Sequence, residues 1–432
     1  MLVETFIVIF QHKTAVETLK YLIKTLKNRI LFMEVVISSP KRTPIGKFQG
    51  GLSTIRPDDL LAENIKRIVE LNSLDPSIFE DVYIGCANQA GEDNRNIARM
   101  ASVLAGLPYS VPGVTVNRLC ASGLEAVCQA YRSVKCGDGD IFIAGGVESM
   151  SRAPYSMPRG PQMPKAGNLT VYDTSLGWRY PNPKMKKMFP LEAMGCTAEN
   201  IVDRMNITRE DQDIFAYNSH QKALQAIANG FFDDEIIPIT VPKGRKDTIT
   251  ITQDEGPRAD TSLEKLAKLR PAFRKEKGTV TAGNSSTLND GSSAMIISTK
   301  AKAEELGLQP IAKILSCASA GVDPEVMGLG PVPATRKALF RAGINISELD
   351  LIELNEAFAA QSLGVIHQLG LSEEKVNIHG GAIALGHPLG CSGSRILTTL
   401  LYALRRKNGR YGLATLCVGV GQGVSMVVEN LQ

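Results

Sequence analysis

The tightest constraint on this chain is a pattern that occurs twice. Val114-Thr115-Val116 reads as a strand, Leu119-Cys120-Ala121-Ser122-Gly123 as a turn, and Leu124, Val127, Cys128, Tyr131 and Val134 then recur at helical spacing. Gly137-Asp138-Gly139 supplies a helix stop, because glycine accepts the left-handed backbone of a C-terminal cap. Ile141-Phe142-Ile143-Ala144 is the next buried strand. At an offset of 270 residues, Leu389-Gly390-Cys391-Ser392-Gly393 opens a second helix through Ile396, Leu397, Leu400, Leu401 and Leu404. Asn408-Gly409 stops it, and Gly412-Leu413-Ala414-Thr415-Leu416 follows as a strand. A repeated strand, turn, helix and strand predicts two similar halves of a layered α/β fold. Their matching helices would lie back to back, bringing both turns to one central cleft.

The rest of the 432 residues divides around this repeat. Residues 33–152 form the first half, completed by about 286–305, and 306–432 form the second. Between them, 153–285 is broken by prolines from Pro154 to Pro190 and reads as an inserted loop domain, the kind of excursion that carries ligand recognition. Thr208 caps a helix there that runs through Ile214, Phe215, Tyr217, Ala223 and Leu224. Residues 1–32 fit a signal peptide poorly, since Phe6-Ile7-Val8-Ile9-Phe10 is short and the basic residues follow it, and Glu4 and Glu17 with a single arginine weaken a mitochondrial presequence. They are expected to lie outside the fold, with organellar targeting as the lesser reading. A net charge of +4 with interspersed signs gives no nucleic-acid stripe. No apolar run reaches membrane-spanning length. Eight cysteines without paired spacing point to free thiols in a reducing compartment, hence the cytoplasm, and to no zinc site.

Four side chains are candidates for chemistry. Cys120 stands at a helix start, where free N–H groups and the helix dipole would lower its thiol pKa toward neutrality; a buried structural cysteine is the plain alternative. His387 sits in the glycine-rich Gly386-His387-Pro388 turn ahead of the second helix, as a base beside a thiol or as a satisfied structural histidine. Cys417 ends a buried strand, where core packing is the simpler reading. Asn355 follows the apolar strand Leu351-Ile352-Glu353-Leu354, where an amide commonly caps the next helix.

Five strings change that balance: Asn117-Arg118-Leu119-Cys120-Ala121-Ser122-Gly123, Gly145-Gly146-Val147-Glu148-Ser149-Met150, Asn355-Glu356-Ala357-Phe358, Gly386-His387-Pro388 and Cys417-Val418-Gly419. Their identity and order resemble the thiolase family from Met33 to the end of the chain. The resemblance implies a duplicated α-β-α-β-α layered fold and an acyl-transfer enzyme. Cys120 would carry the acyl group as a thioester, His387 would take its proton, and Cys417 would act as acid and base on the second substrate. It further implies two oxyanion sites, one of His387 with a water held by Asn355, the other of the Cys120 and Gly419 N–H groups. Coenzyme A and acyl-CoA would be substrates, contacted by the inserted domain, Arg258, Met194, Ala282, Ser286 and Leu288. No metal or redox cofactor is implied, and a homodimer or homotetramer is.

The strings at 85–96, 177–179 and 418–423 are most similar to 3-oxoadipyl-CoA thiolases, which implies a dicarboxylic acyl chain. A distal carboxylate needs a cation, and Arg152, Arg159 and Arg179 are placed to supply it. Ala193-Met194-Gly195 departs from the His-Met-Gly common in acetoacetyl-CoA thiolases. A broad 3-ketoacyl-CoA or acetoacetyl-CoA thiolase, a decarboxylating ketoacyl synthase and a non-catalytic acyl-CoA-binding subunit are the alternatives. The synthases pair their cysteine with two histidines, or with histidine and asparagine, where this chain has Cys417 in the last place.

Overall fold

A computed structural model describes residues 33–159, 168–244 and 246–432. The expectation for 1–32 therefore lies outside the described residues. Nine strands build the main sheet: β1 (Val35–Arg42), β2 (Asp81–Gly85), β3 (Val114–Val116), β4 (Ile141–Ser149), β5 (Asn289–Thr299), β6 (Pro310–Gly321), β7 (Leu351–Leu354), β8 (Tyr411–Val418) and β9 (Gln422–Asn430). They lie in the order β7-β8-β9-β6-β1-β5-β4-β2-β3, and the short strand Gly46–Lys47 adds to β5.

The duplication is visible in the pairing. From the antiparallel β1–β6 seam, β1–β5–β4–β2 runs antiparallel, antiparallel, parallel, and β6–β9–β8–β7 repeats that pattern on the other side. Alternation along each strand sends its two sets of side chains into different layers. Val35 and Ile37 of β1 pack into the central core and Val36 into an outer one; Phe142 and Ala144 of β4 face the centre, Ile141 and Ile143 the outside.

The helices at the two repeated turns, α2 (Ser122–Cys136) and α7 (Leu389–Lys407), fill the centre between the two halves. Outer layers are α1 (Pro57–Leu71) on the first half, and α5 (Pro331–Ala342) and α6 (Ala359–Leu369) on the second. This is the expected α-β-α-β-α arrangement. The central helices touch through backbone: a Cβ on Gly123 would lie 2.7 Å from the Gly390 oxygen, and one on Gly393 would lie 2.4 Å from Leu124 N. Gly137 (φ 80) and Asn408 (φ 52) stop them in the left-handed conformation.

In the inserted segment, α3 (Met194–Met205) and α4 (Arg209–Ala228) pack onto the second half, where Ile201 and Phe215 share a core with Leu354 and Leu363. Thr208 caps α4 in a capping box with Asp211, while Ile214 is exposed rather than apolar-facing. A buried ion cluster ties the segment to β1. Arg42 Nε donates to Glu235 Oε1 at 2.6 Å, and its two terminal nitrogens donate to Asp254 at 2.7 and 2.9 Å. Among the described residues no helix is long and apolar enough to cross a membrane.

Candidate active site

The Cys120 loop is held by its own side chains. Asn117 Oδ1 accepts from Leu119 N at 2.9 Å, while Ser122 Oγ accepts from Arg118 N and donates to Leu119 O. These bonds hold Leu119 at φ 48, an unusual conformation for a residue with a branched side chain. A short 3-10 turn, Leu119–Ala121, then carries Cys120 ahead of α2. Across from it, the β8–β9 turn holds Val420 at φ 64, next to Gly419. Strained residues of this kind persist where the surrounding structure fixes them, often around a site.

The Gly419 N–H donates to the Cys120 sulfur, and Cys417 is near enough for the charge of a Cys120 thiolate to act on it. A Cβ on Gly419 would point toward Leu119 Cδ1 at 3.2 Å and Met194 Sδ at 3.6 Å, closing the space over the thiol. The expected lowering of the Cys120 pKa is not what the structure gives. Burial pushes the thiol up to about 11, outweighing the N–H groups of Gly419 and Cys120, and the Glu148 carboxylate adds to the rise. The turn places Cys120 before the N-cap residue Ala121, so the helix end gives it limited help. Burial raises the Cys417 thiol further, with Cys120 as the second cause.

His387 and Asn355 form a second pair. The Asn355 Nδ2 stands 3.5 Å from both ring nitrogens of His387. Ser392 Oγ donates to Pro388 O at 2.9 Å, so at its 2.6 Å contact with His387 Nδ1 it accepts. That assigns the ring proton to Nδ1 and leaves Nε2 as the acceptor nitrogen. Burial, then the charge of Arg395, lowers the imidazole pKa to about 3, so the ring is neutral at pH 7. Asn355 caps no helix: α6 begins at Ala359 with Phe358 as its N-cap. Instead its buried Oδ1 has no hydrogen-bond partner among the described residues.

A cavity of about 360 Å³ opens onto Cys120. Its walls bring together Ala87 and Asn88, Glu148 and Met150, the run 174–179, Ala193 and Met194, and Gly419 with Val420. All three strings that suggested a dicarboxylic substrate reach this one cavity. Of the residues expected to hold CoA, only Met194 lines it. Ser286 and Leu288 are half-buried and Ala282 and Arg258 exposed, all outside its walls. Arg258 is positioned through its backbone N–H, which donates to His220 Nδ1 at 3.3 Å.

Two contributors were not singled out from the sequence. Glu148 is buried and accepts from the N–H groups of Ala87, Asn88 and Gly390 at 2.8–3.2 Å, joining both halves behind Cys120. Burial raises its pKa to about 7. Ser392 orients His387 from one helical turn along; its place in the repeated Leu-x-x-Ser-Gly turn was the available signal.

Comparison with known proteins gives the family. The thiolase N-terminal domain model matches residues 35–301 and the C-terminal domain model residues 308–430. A beta-ketoadipyl-CoA thiolase of Pseudomonas aeruginosa is 52% identical over 92% of this chain and 99% of its own length. The 3-oxoadipyl-CoA/3-oxo-5,6-dehydrosuberyl-CoA thiolase of Escherichia coli is 50% identical over 92% of this chain and all of its own. The crystal structure of the Bacillus anthracis acetyl-CoA acetyltransferase superposes with a TM-score of 0.87 at 42% identity, covering 92% and 99% of the two chains. The chain belongs to the thiolase family of acyltransferases.

Proposed function

We propose that this thiolase cleaves 3-oxoadipyl-CoA with CoA to acetyl-CoA and succinyl-CoA, or runs the reverse condensation. The observation that carries the substrate is the convergence on one cavity beside Cys120 of the three strings most similar to 3-oxoadipyl-CoA thiolases. The names of the relatives point the same way.

Cys120 is the proposed nucleophile. A thiol raised to about 11 and an imidazole lowered to about 3 rest as a neutral pair at pH 7. The proton therefore leaves sulfur for His387 Nε2 as the carbon–sulfur bond forms, rather than beforehand. The attack breaks the bond between the α-carbon and the 3-oxo carbon, and Cys417 protonates the acetyl-CoA carbanion that departs. The His387 proton then returns to the Cys417 thiolate, so that when CoA takes the acyl group from Cys120 the free imidazole accepts the CoA thiol proton and hands it to the departing Cys120 sulfur. The Cys120 and Gly419 N–H groups stabilise one oxyanion; His387 and a water on the Asn355 Oδ1 stabilise the other. CoA is assigned to Arg258, Met194, Ala282, Ser286 and Leu288 on the family resemblance. A cytoplasmic homodimer or homotetramer completes the reading, and the eight free cysteines fit it.

Thiolysis assays with 3-oxoacyl-CoA substrates of different chain types test the proposal. The expected result is CoA-dependent release of acetyl-CoA, fastest from 3-oxoadipyl-CoA. Faster turnover of straight-chain substrates would make it a broad 3-ketoacyl-CoA thiolase, and a requirement for a malonyl donor would make it a synthase.

A further inference from the structure

The geometry points to Arg179 as the residue that receives the distal carboxylate of the acyl chain and so sets substrate selectivity. This rests on reading the Cys120 cavity as the acyl site of a thiolase.

Three arginines were placed to supply the cation, and the structure separates them. Arg152 is already committed: it pairs with both oxygens of Glu92, at 2.6 Å to Oε1, and donates to Ser53 O at 3.1 Å. Arg159 is exposed and is not on the cavity wall. Arg179 is half-buried and lines the same cavity as Cys120. Among the described residues its one hydrogen bond is a long one to Thr174 O at 3.5 Å, and it has no carboxylate partner there. A guanidinium carries five N–H donors, so most of its fork is uncommitted.

Among the described residues the surroundings suit an anion at Arg179. Glu148 is the other ionisable carboxyl or cationic group on the wall, and its oxygens are occupied by backbone N–H groups. The remaining wall is largely apolar, with Leu119, Leu176, Trp178, Met194 and Val420 among its residues. An unpaired carboxylate moved there from water would pay a large desolvation cost, which a two-bond ion pair offsets. The run carrying Arg179 is also fixed in place: Asn88 Nδ2 donates to Thr174 Oγ1 at 3.1 Å and Trp178 Nε1 donates to Glu192 O at 2.9 Å. A chain ending in a methyl group would leave the guanidinium facing apolar walls without a partner, so the same residue disfavours straight-chain substrates.

The test compares kcat/KM for thiolysis of 3-oxoadipyl-CoA and 3-oxohexanoyl-CoA, equal in chain length and differing in the terminal carboxylate. Arg179→Gln is expected to lower the ratio of the two by about 10- to 100-fold, and Arg179→Lys, which keeps the charge without the fork, by less. Arg152→Gln should leave the ratio in place. An unchanged ratio in both Arg179 variants, or a collapse confined to Arg152→Gln, would overturn the assignment. If the wild-type enzyme itself shows no preference for the dicarboxylate, the substrate reading fails and this proposal with it; if it cleaves neither substrate, the thiolase reading fails first.

Discussion

At Cys120 the outcome turns on two opposed effects of the same neighbourhood. The N–H groups of Gly419 and Cys120 favour a thiolate, but removal from water disfavours it more, and the thiol rises to about 11. The thiolate fraction of the free enzyme then climbs steadily with pH across the neutral range. Alkylation of Cys120 by iodoacetamide, followed on its own peptide by mass spectrometry, should accelerate roughly tenfold per pH unit from about 7 to 10. A plateau below pH 8 would show instead a thiol held low by an ion pair with His387. The sequence named both sulfurs, His387 and Asn355 because each lies in a string that resembles the thiolase family. It did not reveal Glu148 as a brace or the sign of the Cys120 shift, since both depend on which groups fold around these residues from remote parts of the chain.

Among the elements, those with local causes were readable in advance. Periodicity marked α2 and α7, the left-handed caps Gly137 and Asn408 marked their ends, and Thr208 marked the start of α4. The hydrogen-bonded pairing order of β1 through β9 was not readable, because strand neighbours are chosen by long-range packing. Close approach of elements likewise appears only in three dimensions. A Cβ on Gly146 of β4 would stand 2.0 Å from the Gly390 oxygen of α7 and 2.9 Å from Gly123 Cα of α2. Backbone from three elements cannot yield cheaply, so Gly146→Ala should destabilise by about 3 kcal/mol or more. Equilibrium urea unfolding checks this; a loss under about 1 kcal/mol would mean the central helices move apart easily.

The whole molecule is two copies of one plan, joined along β1 and β6, with an inserted segment anchored onto them. The duplication was legible because its turn and helix recur in sequence; the anchoring was not, since Arg42 meets partners about two hundred residues away. Arg42→Met would leave Glu235 and Asp254 as buried carboxylates without their cation, and is expected to cost about 3–5 kcal/mol in unfolding free energy. A change below about 1 kcal/mol would mean those carboxylates are neutralised or hydrated at little cost. What the assembly achieves is the approach of a turn from the first half, carrying Cys120, to the end of β8 and its following turn in the second, carrying Cys417 and Gly419. The most direct measurement is peptide mass spectrometry after incubation with acetyl-CoA and rapid acid quench, on wild type, Cys120→Ser and Cys417→Ser. The account predicts one acetyl group on the Cys120 peptide in wild type and in Cys417→Ser, and none on that peptide in Cys120→Ser. Acetyl found instead on Cys417, or on no cysteine of the wild-type enzyme, would contradict it.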